Sequence, residues 1–218
     1  MKKRVVIATV LLILFTTITF PKRNLISYFN LKEIRIENNL FIQEKEIKQL
    51  LNPIYNKNLI FLKNKEIENK LMKISFIDSF NIKKIYPNTL KIEIFEKKPI
   101  AILINKKKKY LLSEKLDLIG FKKIPDYQKL PYVFGNNIDF KIFYNDLKKI
   151  NFPLGIINKY TFYESKRWDL ETKNQKIIKL PSKNYLESLN NFLDLSKNDN
   201  FQKYEIFDYR VSNQIILK

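Results

Sequence analysis

Apolar and polar positions change their period along the chain, and each change marks an element. An uncharged stretch comes first, from Val5 to Phe20, with Leu11, Leu12, Ile13, Leu14 and Phe15 in one run. Ile34-Arg35-Ile36-Glu37 then alternates apolar and charged residues, which predicts a half-buried strand closed by an Asn38-Asn39 turn. Ile47, Leu50 and Leu51 share one face of a short helix that Asn52-Pro53 ends, because proline disfavours helix at the residue before it. Asn64 is placed to cap a second helix, in which Ile67, Leu71 and Ile74 recur at helical spacing. Phe76 to Tyr86 reads as a strand, Pro87-Asn88 as a turn, and Leu90-Lys91-Ile92-Glu93-Ile94 as a further alternating strand. The predicted order is strand, helix, helix, strand, strand, with both helices on one face of a three-stranded sheet.

Beyond Ala101 the pattern turns to short strands. Ile102 to Ile104, Tyr110 to Leu112, Leu116 to Ile119 and Leu130 to Gly135 are apolar runs parted by polar turns. A helix from Ile138 to Ile150 follows, bearing Phe140, Phe143, Tyr144 and Leu147 and ending at Asn151-Phe152-Pro153. Tyr160 to Glu164, Trp168 to Thr172 and Lys176 to Leu180 read as a meander. Ser182 is placed to cap a helix carrying Tyr185, Leu189, Phe192 and Leu193, and strands at Tyr204 to Tyr209 and Gln214 to Leu217 close the chain. The expected class is α+β: an N-terminal transmembrane helix, then a β-α-α-β-β module, then a mostly antiparallel β domain with flanking helices.

Composition narrows the chemistry. The 218 residues include no Cys and no His, which removes disulfides, thiolate or imidazole metal sites and any triad with a histidine base. With three glycines, none near another, no glycine-rich loop is present to cradle a phosphate. No cofactor is expected. The formal charge of +19 raises nucleic acid as a partner, but only Arg4, Arg23, Arg35, Arg167 and Arg210 among the 41 basic residues carry the bidentate fork that base and phosphate recognition favours. Asn and Ile are abundant too, so the bias reads as compositional drift toward Lys, Asn and Ile, and nucleic acid is not expected. The run Lys106 to Lys109 is the dense cluster; it reads as a solvated loop between two strands, with an anion or lipid-headgroup site as the alternative.

Lys2, Lys3 and Arg4 before the apolar stretch make it a signal sequence or an anchor. Sixteen helical residues rise about 24 Å against a hydrocarbon core of about 30 Å, which favours a cleaved signal. Against cleavage, the stretch ends in Phe20-Pro21-Lys22-Arg23 with no small-x-small site, and Leu25, Ile26, Tyr28 and Phe29 suit the far interface. An uncleaved single-pass anchor is the favoured reading. Three basic residues before the stretch and two after give a weak bias toward a cytoplasmic N-terminus.

Several short segments, taken in order, resemble the bacterial cell-division family FtsQ, also called DivIB. They are Ile85-Tyr86-Pro87-Asn88-Thr89-Leu90, Glu96-Lys97-Lys98-Pro99-Ile100-Ala101, Leu130-Pro131 with Phe134-Gly135, Arg167-Trp168-Asp169-Leu170, Ile178-Lys179-Leu180-Pro181 and Phe207-Asp208-Tyr209-Arg210. The resemblance implies a cytoplasmic end and anchor over residues 1–23, a POTRA domain over 24–100 and a β domain over 101–218. It implies a divisome scaffold and not an enzyme: a single-pass inner-membrane protein at the septum, with the bulk of the chain periplasmic. Such a protein holds FtsB and FtsL, contacts other division proteins and links early and late components. Two turns depart from the family: the one after Tyr110-Leu111-Leu112 lacks glycine, and Asn174-Gln175 stands where Asn-Gly is usual. Gln tolerates positive φ poorly, so a longer loop is expected there. No C-terminal tail is expected beyond Lys218, so no contact of such a tail is carried over.

Family correspondence places the partner-binding surface on Arg210, Val211, Ser212, Asn213, Gln214, Ile215, Ile216, Leu217 and Lys218. Strand addition is the physical mechanism: an edge strand over Gln214 to Leu217 offers free N–H and C=O groups to a partner strand. The bland alternative is that Ile215, Ile216 and Leu217 complete the core. Arg210 has two candidate partners, a carboxylate of the binding protein or nearby Asp208, and Trp168 reads as core. Two rival functions stand beside this one. A POTRA-containing envelope or outer-membrane assembly factor would need further repeats or a barrel. An envelope hydrolase would use Glu164, Asp169 and Glu171, which read better as outward-facing strand residues.

Overall fold

A computed structural model describes residues 2–17, 25–122, 124–211 and 214–218. The first apolar stretch is helix α1, Lys2–Thr17. Its apolar side chains from Val5 to Phe15 are exposed, and the hydroxyls of Thr9 and Thr16 donate to helix carbonyls of Val5 and Ile13 at 2.8 and 2.9 Å. No described helix is long and apolar enough to cross a membrane. Phe20, Pro21, Lys22 and Arg23, the segment without a small-x-small site, lie outside the described residues.

The chain divides into two compact units, residues 1–73 with 79–94 and residues 74–78 with 95–218. In the first, a short helix α2 (Leu25–Tyr28) leads to β1 (Glu33–Glu37), α3 (Glu44–Leu51), α4 (Asn64–Leu71), β2 (Ile77–Ile85) and β3 (Thr89–Glu96). The sheet order is β1-β3-β2, with β1 parallel to the central β3. Alternation explains the core: Leu90, Ile92 and Ile94 of β3 are fully buried beside Ile34 of β1, Ile47 and Leu51 of α3, and Ile67 and Leu71 of α4. The alternate residues carry charge outward, and Lys91 meets Glu37 at 2.8 Å across the ladder. One detail differs from the sequence reading. Asn64 is the first helical residue and not the cap; Lys63 holds that position, with no side-chain bond.

The second unit is built on nine strands: β4 (Pro99–Asn105), β5 (Lys108–Ser113), β6 (Leu118–Gly120), β7 (Tyr132–Phe134), β8 (Ile157–Phe162), β9 (Trp168–Thr172), β10 (Ile177–Lys179), β11 (Ile206–Asp208) and β12 (Ile216–Leu217). Helix α5 (Asn137–Lys149) joins β7 to β8, and α6 (Tyr185–Ser196) joins β10 to β11. The strand order is β12-β11-β10-β9-β8-β7-β4-β5-β6. The pairs β7/β8, β10/β11 and β4/β7 are parallel and the other five antiparallel. A meander of hairpins is thus only part of the architecture. Each helix carries the chain back along the sheet, so the strands on either side of it run the same way.

Phe140 and Phe143 of α5, Tyr160, Trp168, Leu170 and Phe207 of the sheet, and Leu189 and Phe192 of α6 form one core. Trp168 stacks on Phe143 at a centroid distance of 4.8 Å, which places it in the core as its sequence context implied. Glycine is needed at one position: Gly135 has φ +156°, and a Cβ there would lie 2.9 Å from the Cβ of Phe162. Gly135→Ala is expected to cost about 1–3 kcal/mol, read by thermal unfolding.

Turn chemistry departs from expectation in three places. The four-residue loop between β9 and β10 puts Gln175 at φ 63°, and the Thr172 hydroxyl accepts from the Lys176 N–H at 3.0 Å. The loop is longer than a two-residue hairpin, as anticipated, yet Gln takes the left-handed position itself. Leu116 does the same after β5, at φ 63°. Its side chain is almost wholly buried in the core; burial worth about 1.5–3 kcal/mol offsets a backbone cost of about 1–2 kcal/mol. Ser182 does not cap α6. Asn184 precedes the helix in a left-handed conformation with no side-chain bond.

Candidate partner-binding edge

Two strands border the large sheet. At β6 one backbone group is already taken, since the Gly120 N–H donates to the Ser75 hydroxyl at 3.1 Å. The other edge is β12, and it is shorter than the predicted Gln214–Leu217: only Ile216 and Leu217 lie in the ladder, opposite Asp208 and Phe207. Gln214 belongs to the preceding turn, its N–H donating to the Val211 carbonyl at 3.3 Å. The Ile206 N–H donates to the Lys218 carbonyl at 2.9 Å and the Lys218 N–H to the Ile206 carbonyl at 3.1 Å. These bonds set the phase of the strand. Antiparallel bonding pairs alternate, so Asp208 and Ile216 form the next bonded pair, and the backbone groups of Ile215 and Leu217 point away from the sheet. Among the described residues nothing bonds them. Their side chains pack at the core margin, whereas Ile216 faces the other side of the sheet and is 40% exposed.

The segment before β12 is pinned from two directions. The Tyr209 N–H donates to the Lys179 carbonyl at 2.9 Å, and the Tyr209 hydroxyl donates to Asn191 of α6 at 3.0 Å. Arg210 folds back on Asp208: its N–H and Nε both donate to Oδ1, at 3.1 and 2.7 Å, and Nη2 donates to Oδ2. Of the predicted residues, Arg210, Val211, Gln214 and Ile215 line one cleft of about 680 Å³ with Tyr209 and the start of α6. Ile216, Leu217 and Lys218 form the ladder end. Ser212 and Asn213 lie outside the described residues.

The face of the sheet opposite the helices adds residues that sequence reasoning did not assign to this site. Register aligns Thr161, Asp169, Lys179, Asp208 and Ile216 in one row across β8 to β12. Arg167 lies over the Tyr163 ring at 4.5 Å. The Arg167 Nε and the Asp169 Oδ1 are buried with no hydrogen-bond partner. The signal was in the two motifs: Arg167-Trp168-Asp169 and Asp208-Tyr209-Arg210 each set a cation and a carboxylate two apart, so that both fall on the face opposite the buried Trp168. Of the three carboxylates weighed for a hydrolase, Asp169 and Glu171 do face outward on β9; Glu171 pairs with Lys159, and Glu164 lies exposed in the β8–β9 turn.

The two aspartates respond oppositely to acid. Hydrogen bonds from Arg210 hold the Asp208 carboxyl below its ordinary 3.8, whereas burial pushes Asp169 up despite Arg167, Lys179 and Arg210 nearby. A depressed value stabilises the fold above pH 3.8 and is lost as pH falls below it; a raised value has the reverse sign. Asp208→Asn is therefore expected to flatten the loss of thermal stability below about pH 4. The effect is at most about 1 kcal/mol, since Arg210 is 39% exposed. Asp169→Asn leaves that acid limb in place.

A three-stranded sheet under two helices, followed by a nine-stranded mixed sheet, defines a POTRA-containing α+β protein. The family model "POTRA domain, FtsQ-type" matches residues 29–97. The chain is 30% identical over 200 residues to the cell division protein FtsQ of Rickettsia typhi, covering 87% of this chain and 73% of that one. It is 30% identical over 197 residues to FtsQ of Rickettsia bellii, covering 87% and 72%, and 24% identical over 166 residues to FtsQ of Agrobacterium fabrum, covering 74% and 51%. The major extracytoplasmic domain of the cell division protein DivIB from Geobacillus stearothermophilus aligns at TM-score 0.34 and 12% identity, covering 50% of this chain and 98% of that one. The chain belongs to the FtsQ family of cell division proteins.

Proposed function

We propose that this chain is a divisome scaffold, anchored in the bacterial inner membrane through residues 5–20, that binds FtsB and FtsL by strand addition at β12 and links early and late division proteins at the septum. On this reading residues 24–100 form the POTRA domain and 101–218 the β domain, both outside the cytoplasm. The observation that carries it is the free edge of β12, where outward backbone groups of Ile215 and Leu217 are offered to a partner strand. Arg210, partly exposed on the segment that leads into β12, suits an acidic side chain on that partner.

The test is calorimetric binding of the chain without its first 23 residues to the extracytoplasmic part of FtsB, alone and with FtsL, beside the same protein ended after Asn213. Saturable binding that the shortening abolishes in a folded protein is the expected result. No binding by intact, folded protein moves the function to the second reading, an envelope-assembly factor with a POTRA domain and a different partner.

A further inference from the structure

We infer that the tip of the β4–β5 hairpin is a contact site for an anionic lipid surface, a second membrane attachment that rests on the proposed anchor. Four consecutive exposed lysines, Lys106 to Lys109, occupy the turn and the start of β5. Elsewhere in the chain Lys48, Lys57, Lys91, Lys97, Lys115 and Lys159 each meet a carboxylate. Among the described residues no carboxylate pairs with any of the four at the tip. Lys106 and Lys107 hold the two central turn positions at φ 45° and 70°, places that favour Asn and Gly. Four like charges on adjacent positions therefore stand uncompensated.

The neighbourhood gives the tip an apolar side as well. Lys109 lies 5.7 Å from the ring centre of Phe121, which is 41% exposed. Phe134, also exposed, stands in register with Ile104 at the end of β4. Lysines around exposed aromatic rings match the bilayer interface, where headgroup phosphates meet the ammonium groups and the rings sit at the acyl boundary. A nucleic acid is served less well: no arginine lies in the hairpin. Each lysine near an anionic leaflet is worth roughly fivefold in partitioning, and a chain already tethered to the bilayer presents the tip at high effective concentration.

The chain has no cysteine, so Asn105→Cys accepts a single nitroxide beside the tip. The full chain carrying it is reconstituted into vesicles of phosphatidylcholine alone and of phosphatidylcholine with about one third phosphatidylglycerol. Shielding from an aqueous nickel chelate, with gain of access to dissolved oxygen, is expected only in the anionic vesicles. It is expected to vanish when Lys106, Lys107, Lys108 and Lys109 are all changed to Gln. A label that stays accessible to the chelate on anionic vesicles that carry the chain overturns the inference alone. Failure of the chain to float with either vesicle overturns the anchor beneath it.

Discussion

Leu217→Pro is expected to weaken partner binding at β12 by tenfold or more and to leave most of the domain stability intact. The reason is the phase of the strand. Lys218 and Ile206 exchange both of their backbone bonds, so the N–H of Leu217 points to the free edge and that of Ile216 points into the sheet. Proline at 217 removes an outward donor and sets its ring where a partner strand would lie. One lost bond of about 1.4 kcal/mol corresponds to a tenfold change in Kd. Ile216→Pro acts on the other side: it breaks the bond to Asp208 and is expected to lower stability by a similar amount, with binding reduced only as far as β12 frays. Sequence alone does not say which N–H of this strand faces the edge; the register assigns that role to Leu217. Leu217→Ala serves as the control, since it removes the half-buried side chain and keeps the N–H. Calorimetric affinity and thermal unfolding of the three variants decide the matter. A loss of affinity in Ile216→Pro that Leu217→Pro does not share would mean that no strand is added at this edge.

Phe143→Ala is expected to destabilise the second unit by about 3–5 kcal/mol, a large part of the stability of any domain this size. Phe143 is fully buried on α5, stacked on Trp168 at 4.8 Å and close to Tyr160 and Tyr185. Truncation leaves a cavity between helix and sheet that aromatic rings from β8, β9 and α6 cannot all move to fill. Trp168 is the single tryptophan of the chain, so its emission reports the transition in urea directly. A loss of unfolding free energy below about 1 kcal/mol would show that the core repacks around the missing ring.

Hydrophobic period by itself fixed much of this protein. Alternation over Ile34 to Glu37 and Leu90 to Ile94, and helical spacing in Ile67 and Leu71 or Phe140, Phe143 and Leu147, depend only on which side of an element faces the core, and each element stands where that pattern put it. Family membership was legible for a related reason: Arg167-Trp168-Asp169-Leu170 and Phe207-Asp208-Tyr209-Arg210 alternate residues between the two faces on β9 and β11 of one sheet, with β10 between them. What tertiary structure decided was everything that depends on partners far along the chain. Period two says that β7 and β8, or β10 and β11, are strands, but their parallel pairing follows from α5 and α6 returning over one face. The meeting of Asp169, Lys179 and Asp208 in one row needs the register of β9, β10 and β11, which no local pattern encodes. Side-chain alternation likewise told that one set of residues in the last strand faces the core. It could not tell which N–H groups face the open edge, because side-chain direction and hydrogen-bond direction are separate properties of a strand, and the second is set only by the bonds to β11.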